Sequence, residues 1–72
     1  MKKFGNTANK IRAILSVVES GETVRGKDIT NRLTKKGYRV KEGHINMFIY
    51  YNMLYKYVTR QKVNGINHYI VI

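Results

Sequence analysis

The sequence contains no cysteine, no proline and no tryptophan. Without cysteine there is no disulfide framework, no thiolate metal site and no cysteine nucleophile, and two histidines are the only soft ligands left. Stability must then come from apolar packing. Without proline, and with neither a low-complexity tract nor an internal repeat, element boundaries are read from glycines and helix caps. Carboxylates are scarce too, four Asp and Glu against fourteen Lys and Arg. No apolar run approaches the ~18 residues that a membrane span needs, so no membrane role is expected. Met1-Lys2-Lys3-Phe4 looks like the charged start of a secretory signal. Gly5 to Lys10 is polar, however, Arg12 interrupts Ile11 to Val18, and no small-residue cleavage site follows. Export is not expected, and the expected location is cytoplasmic, in a nucleoid or a host cytoplasm.

What remains is a chain of 72 residues, 43 % hydrophobic and 25 % charged, which is a globular balance with room for a single domain spanning 1–72. Its formal charge of +10 sets up a positive field around a small body, and that field attracts polyanions, nucleic acid being the commonest.

Ala8, Ile11, Leu15 and Val18 recur at three- and four-residue steps with Ile14 beside them, Thr7 or Asn6 is available as N-cap, and Gly21 supplies a left-handed stop. This spacing predicts a first helix from about Thr7 to Ser20. Glu22-Thr23-Val24 is long enough only for a link or a one-bridge strand. Ile29 and Leu33 lie four apart, with Asp28 in the first turn and Lys35-Lys36-Gly37 at the end. They predict a second helix, about Gly26 to Lys36. Ile45, Ile49 and Met53 repeat at four with Glu42 in the first turn, which predicts a third helix from about Lys41 to Lys56. Its start is poorly capped, because Lys41 is no hydrogen-bond acceptor. Val58 to Val63 and Ile66 to Ile72 are rich in β-branched and aromatic residues and are separated only by Asn64-Gly65, the signal for a two-residue type I′ hairpin. That turn pairs Val63 with Ile66, Lys62 with Asn67, Arg60 with Tyr69 and Val58 with Val71.

A lone hairpin is marginal in water and has to pack its apolar base on the helices. The expected fold is therefore α+β, a winged helix-turn-helix of three helices followed by a C-terminal two-stranded β-hairpin wing. In that arrangement the third helix enters the DNA major groove and the wing runs beside it.

The stretch Gly37-Tyr38-Arg39-Val40-Lys41-Glu42-Gly43-His44-Ile45-Asn46-Met47-Phe48-Ile49 resembles, without a gap, the helix-turn-helix of the arginine repressor N-terminal domain. There a Gly-aromatic-x-Val turn leads into a Thr-Gln-Ala-Thr-Val-Ser-Arg-Asp-type recognition helix. Ile11 to Ile14, Glu19-Ser20-Gly21-Glu22 and Asp28-Ile29 to Leu33 fall at similar distances, so the likeness extends over nearly the whole chain. It implies the fold and the docking mode. Asn46-Met47 stands where the family has its DNA-reading Ser-Arg pair, Phe48 at the following acidic position and Lys41-Glu42 at the capping Thr-Gln. Nothing here matches the family's arginine-binding, hexamer-forming domain, so neither arginine sensing nor the operator is carried over.

With Ile45, Ile49 and Met53 facing inward, the other side of the third helix is expected to present Gly43, Asn46, Met47, Tyr50, Tyr51 and Leu54, with His44 at the margin. Gly43, His44, Asn46, Met47 and Tyr50 are the candidate base readers. The carboxamide of Asn46 suits a bidentate pair with adenine, Met47 suits contact with a thymine methyl, and Gly43 permits close approach of the backbone. Arg25, Lys27, Lys35, Lys36, Arg39, Lys41, Tyr51, Arg60 and Lys62 are the candidate phosphate contacts, taken as a set because a single surface lysine is usually just solvated. Tyr55 and Tyr57 are assigned to closing the core or to a dimer interface.

Catalysis finds little support. His44 and His68 lie in different elements, the carboxylates Glu19, Glu22, Asp28 and Glu42 form no close pair, and neither a His-x-x-x-His spacing nor a phosphate-binding glycine loop is present. No cofactor, metal or small-molecule effector is expected. The leading expectation is a small transcriptional regulator binding double-stranded DNA sequence-specifically as a homodimer on a two-fold site. Compact viral or plasmid genomes are the expected source. The rival expectations are an architectural protein coating DNA without regard to sequence, and a winged-helix module for a protein or RNA partner.

Overall fold

A computed structural model describes residues 5–72. Met1 to Phe4, on which the resemblance to a secretory signal falls, lie outside the described residues. The elements run α1 (Thr7–Ser16), β1 (Thr23–Arg25), α2 (Gly26–Lys35), α3 (Glu42–Asn52), β2 (Val58–Val63) and β3 (Ile66–Val71). The fold is α+β, with three helices and a three-stranded antiparallel sheet in the order β1-β3-β2.

The expected two-stranded hairpin is thus corrected to three strands. Thr23-Val24-Arg25 pairs with Ile70, Tyr69 and His68, making β3 the central strand. Two β-branched residues suit this short stretch to a pleat, and Val24 is 2 % exposed beneath it. The hairpin register is the expected one, from Val58 opposite Val71 to Val63 opposite Ile66. Its turn places Asn64 at φ 51° and Gly65 at φ 78°, the two left-handed residues that a type I′ turn demands.

Helix starts match expectation more closely than helix ends. Asn6 caps α1 by accepting from the Asn9 amide at 2.8 Å. Lys41 precedes α3 without a side-chain cap, as its chemistry requires. α1, however, ends at Ser16 instead of Ser20: the amides of Val17 and Val18 close a tight turn on the carbonyls of Ile14 and Leu15. Gly21, at φ 81°, then serves the turn into β1 and not the helix end. α3 likewise stops at Asn52 instead of Lys56. The amides of Lys56 and Tyr57 both turn back onto the Met53 carbonyl, at 3.1 and 2.9 Å, and Tyr55 takes a left-handed φ of 65°. Tyr55 and Tyr57 end up exposed on this turn, so neither closes the core.

The core gathers one stripe from each element: Ala13, Ile14 and Val18 after and along α1, Val24, then Ile29 and Leu33 of α2, Ile45 and Ile49 of α3 with Met53, and Val58 and Tyr69 of the sheet. Ala8, expected on the inner stripe of α1, is exposed. Arg32 ties the layers at their edge. Its guanidinium donates to the Val17 carbonyl and to both carboxylate oxygens of Glu22, each at 2.8 Å, joining the end of α1 and the approach to β1 to α2.

These hydrogen bonds from Arg32, helped by the Glu19 amide, hold the Glu22 carboxyl down to about 2, from an ordinary 4.5. A carboxylate with a depressed folded-state value stabilises the fold above its unfolded value, and that contribution disappears as pH falls through the folded value. Acid titration of the unfolding free energy should show a loss between about pH 4.5 and 2. Glu22→Gln should flatten the curve in that window; an unaltered curve would show that the pair contributes nothing there.

Candidate nucleic-acid interface

Between Gly43 and Asn52, α3 has neither lysine, arginine, aspartate nor glutamate. Its inner stripe, Ile45 and Ile49 continued by Met53, retains no accessible surface. Its outer side consequently carries Met47, Tyr50 and Tyr51, which are 58 %, 54 % and 74 % exposed. Gly43 and His44 are exposed beside them, and a Cβ placed on Gly43 would meet nothing within 4 Å. The Tyr50 and Tyr51 rings meet edge to face at 5.1 Å, an arrangement that stiffens both.

Cations border this neutral face. On one side, Lys10 of α1 lies 4.6 Å from the Phe48 ring centroid and lines a groove of about 320 Å³ with Arg39, Lys41 and His44. Lys10 also joins His44, Met47, Phe48, Tyr51 and Asn52 around an adjoining groove of about 280 Å³. On the other side, the Arg60 guanidinium of β2 stands 5.8 Å from the Tyr50 ring centroid, a cation–π geometry that brings the hairpin against α3. Near the start of α3, Arg25 and Lys27 line a cleft of about 360 Å³ with Glu42, Asn46 and the hairpin tip, Gly65 to Asn67. Lys62 is exposed on β2 opposite Asn67.

Several residues sit differently from expectation. Asn46, expected on the outer side, is half-buried, and its Oδ1 accepts a hydrogen bond of 2.9 Å from the Tyr69 hydroxyl. The same amide fills the space over Gly26: a Cβ there would stand 2.7 Å from Asn46 Cγ and 2.9 Å from Nδ2, with Oδ1 closer still. Arg25 is engaged as well, its guanidinium reaching the Asp28 carboxylate at 3.3 Å while its amide donates to the same group at 3.0 Å. This pairing lowers the Asp28 carboxyl below its ordinary value and caps the start of α2. Lys36 donates to the Ser16 hydroxyl at 3.3 Å and so turns toward α1, and neither it nor Lys35 lines the three grooves. Leu54, expected outward, is half-buried past the end of α3 and bridges to Val58.

Lys10 and Tyr69 were not expected here. Lys10 joins only because the fold brings its ammonium over the Phe48 ring. Tyr69 joins because the third strand makes β3 central and turns its hydroxyl toward α2 and α3; the one local hint is an aromatic at an inward-alternating position of a strand. Burial raises the Tyr69 hydroxyl above its ordinary value, so it stays a donor at neutral pH. Among the described residues no three His, Asp or Glu side chains gather to hold a metal ion, and no helix is long and apolar enough to cross a membrane.

Comparison with protein-family models, with curated proteins and with solved structures gives no match to this chain.

The contact of Gly26, Asn46 and Tyr69 makes a testable joint. Tyr69→Phe should cost about 0.5–1.5 kcal/mol of unfolding free energy through the lost hydrogen bond. In an Asn46→Ala background the same change should cost almost nothing, because the partner is already gone. Gly26→Ala should destabilise by about 1–3 kcal/mol through overpacking. Denaturant unfolding of the three variants and the double variant checks all of this.

Proposed function

We propose that this chain is a winged helix-turn-helix protein that binds double-stranded DNA sequence-specifically as a small transcriptional regulator. The observation that carries the reading is the charge-neutral, exposed outer side of α3 bordered on both sides by cations. A helix about 10–12 Å across fits the major groove of B-DNA, which is about 12 Å wide. With α3 seated there, Arg39, Lys41 and Lys10 face one phosphate wall, and Arg60 and Lys62 on the hairpin face the other. The β2–β3 hairpin acts as the wing, and β1 anchors its inner strand beside α2.

The division of labour is physical. Cations at the border neutralise phosphates and release counterions, which supplies affinity without regard to sequence. The neutral face meets the base edges, where contacts depend on which base pair is present. One domain of this size covers few base pairs, so two copies on a two-fold site are part of the proposal.

Arg60→Ala together with Lys62→Ala should weaken binding to every duplex and reduce the slope of log K against log salt by about two phosphate equivalents. Titrations of one duplex at several salt concentrations check this. An unchanged slope removes the hairpin from the contact surface.

A further inference from the structure

A groove-facing helix ordinarily discriminates bases through forked hydrogen bonds from arginine, asparagine, glutamine or an acid. From Gly43 to Tyr51 this chain offers one such side chain, Asn46, and its Oδ1 is held by Tyr69 while the amide is packed over Gly26. The outward stripe that remains is Gly43, Met47 and Tyr50, at steps of four and three, with His44 and Tyr51 on the α1 side. Its largest exposed surfaces are a thioether and two phenol rings. Gly43 has open space where a side chain would be, so the first turn of α3 permits close approach. The surrounding cations select a polyanion as occupant, and a flexible thioether beside stiffened aromatic rings selects an apolar feature inside that polyanion.

The major groove contains one such feature. The thymine 5-methyl group is the only apolar projection among the four bases, and contact with it distinguishes thymine without any hydrogen bond. We infer that Met47 and Tyr50 read thymine methyl groups, so that this chain prefers duplex sites by the placement of their major-groove methyls and not by a donor and acceptor code. This rests on the proposed DNA binding and adds its substrate preference. The same chemistry extends to 5-methylcytosine, which carries a methyl at the equivalent place in the groove.

The test starts from a duplex selected by the protein out of a random pool. Its affinity is compared with that of the same duplex carrying deoxyuridine in place of every thymine, a change that deletes the methyls and keeps every hydrogen-bonding group. Each lost methyl contact should weaken binding about three- to fourfold, and full replacement about tenfold or more. Met47 is exposed, so Met47→Ala leaves the core intact and should remove most of that difference. Equal affinity for the thymine and uracil duplexes, with preference for the selected site retained, overturns methyl reading and leaves DNA binding standing. Retention of the full difference by Met47→Ala overturns its assignment to this face. Failure to bind any duplex at low salt overturns the DNA reading itself, and the inference with it.

Discussion

The burial of Ile45, Ile49 and Met53 against α2 and the sheet is the constraint on which the rest of the structure depends. All three have no exposed surface, and each such side chain contributes about 1.5–3 kcal/mol relative to exposure. A repeat of four in a helix of 3.6 residues per turn drifts slowly, so three contacts are enough to fix its rotation about its own axis. Once rotation is fixed, the outward positions follow without further choice. Met47, Tyr50 and Tyr51 are exposed because the inner stripe allows no other angle, and the α2 packing of Ile29 and Leu33 sets the height at which they stand.

Rotation alone does not place the hairpin, and here the third strand matters. A two-stranded ribbon on a helical base is free to swing; pairing β3 with β1 fastens it to the residues that lead directly into α2. The Tyr69 hydroxyl then reaches Asn46, so sheet, α2 and α3 meet at one polar contact in an otherwise apolar core. Rigidity and recognition compete for the same side chain at that point. An asparagine at this position of α3 has the chemistry of a base reader, and this fold uses it as a brace. The consequence is that the proposed recognition face relies mostly on surface and shape.

How much of this was legible in the sequence depends on how local each signal is. Asn64-Gly65 fixes the hairpin register within six residues, because the turn geometry admits few alternatives, and every expected pair is present. The inner stripe of α3 follows from spacing alone. Helix ends were less legible: the stops at Ser16 and Asn52 come from backbone turns at Val17 and Met53 that no glycine or proline announces. β1 was legible only as a link or a one-bridge strand, because three residues carry almost no pattern and only the presence of β3 gives them a partner. Asn46 and Lys10 show the limit most clearly. Their roles depend on Tyr69 and Phe48, which are 23 and 38 positions away. No local rule reaches that far.

Charge completes the argument. Of the four carboxylates, Glu22 and Asp28 hold Arg32 and Arg25 at the approach to α2 and in its first half, where they brace the fold. Neither stands on the border of α3 formed by Lys10, Arg39, Lys41 and Arg60. Glu42 stands in the first turn of α3 next to Lys41, so cations outnumber carboxylates along the border where the proposed docking needs them, while the helix from Gly43 to Asn52 is neutral. At physiological salt the screening length is about 8 Å, so phosphates feel the border cations only on close approach. Affinity from that border falls with salt, whereas apolar contact of α3 with base edges hardly changes with it. Raising the salt should then weaken binding to all sites while preserving the ratio between preferred and random sites. A helix that carried its discrimination on charged readers would not separate the two quantities in this way.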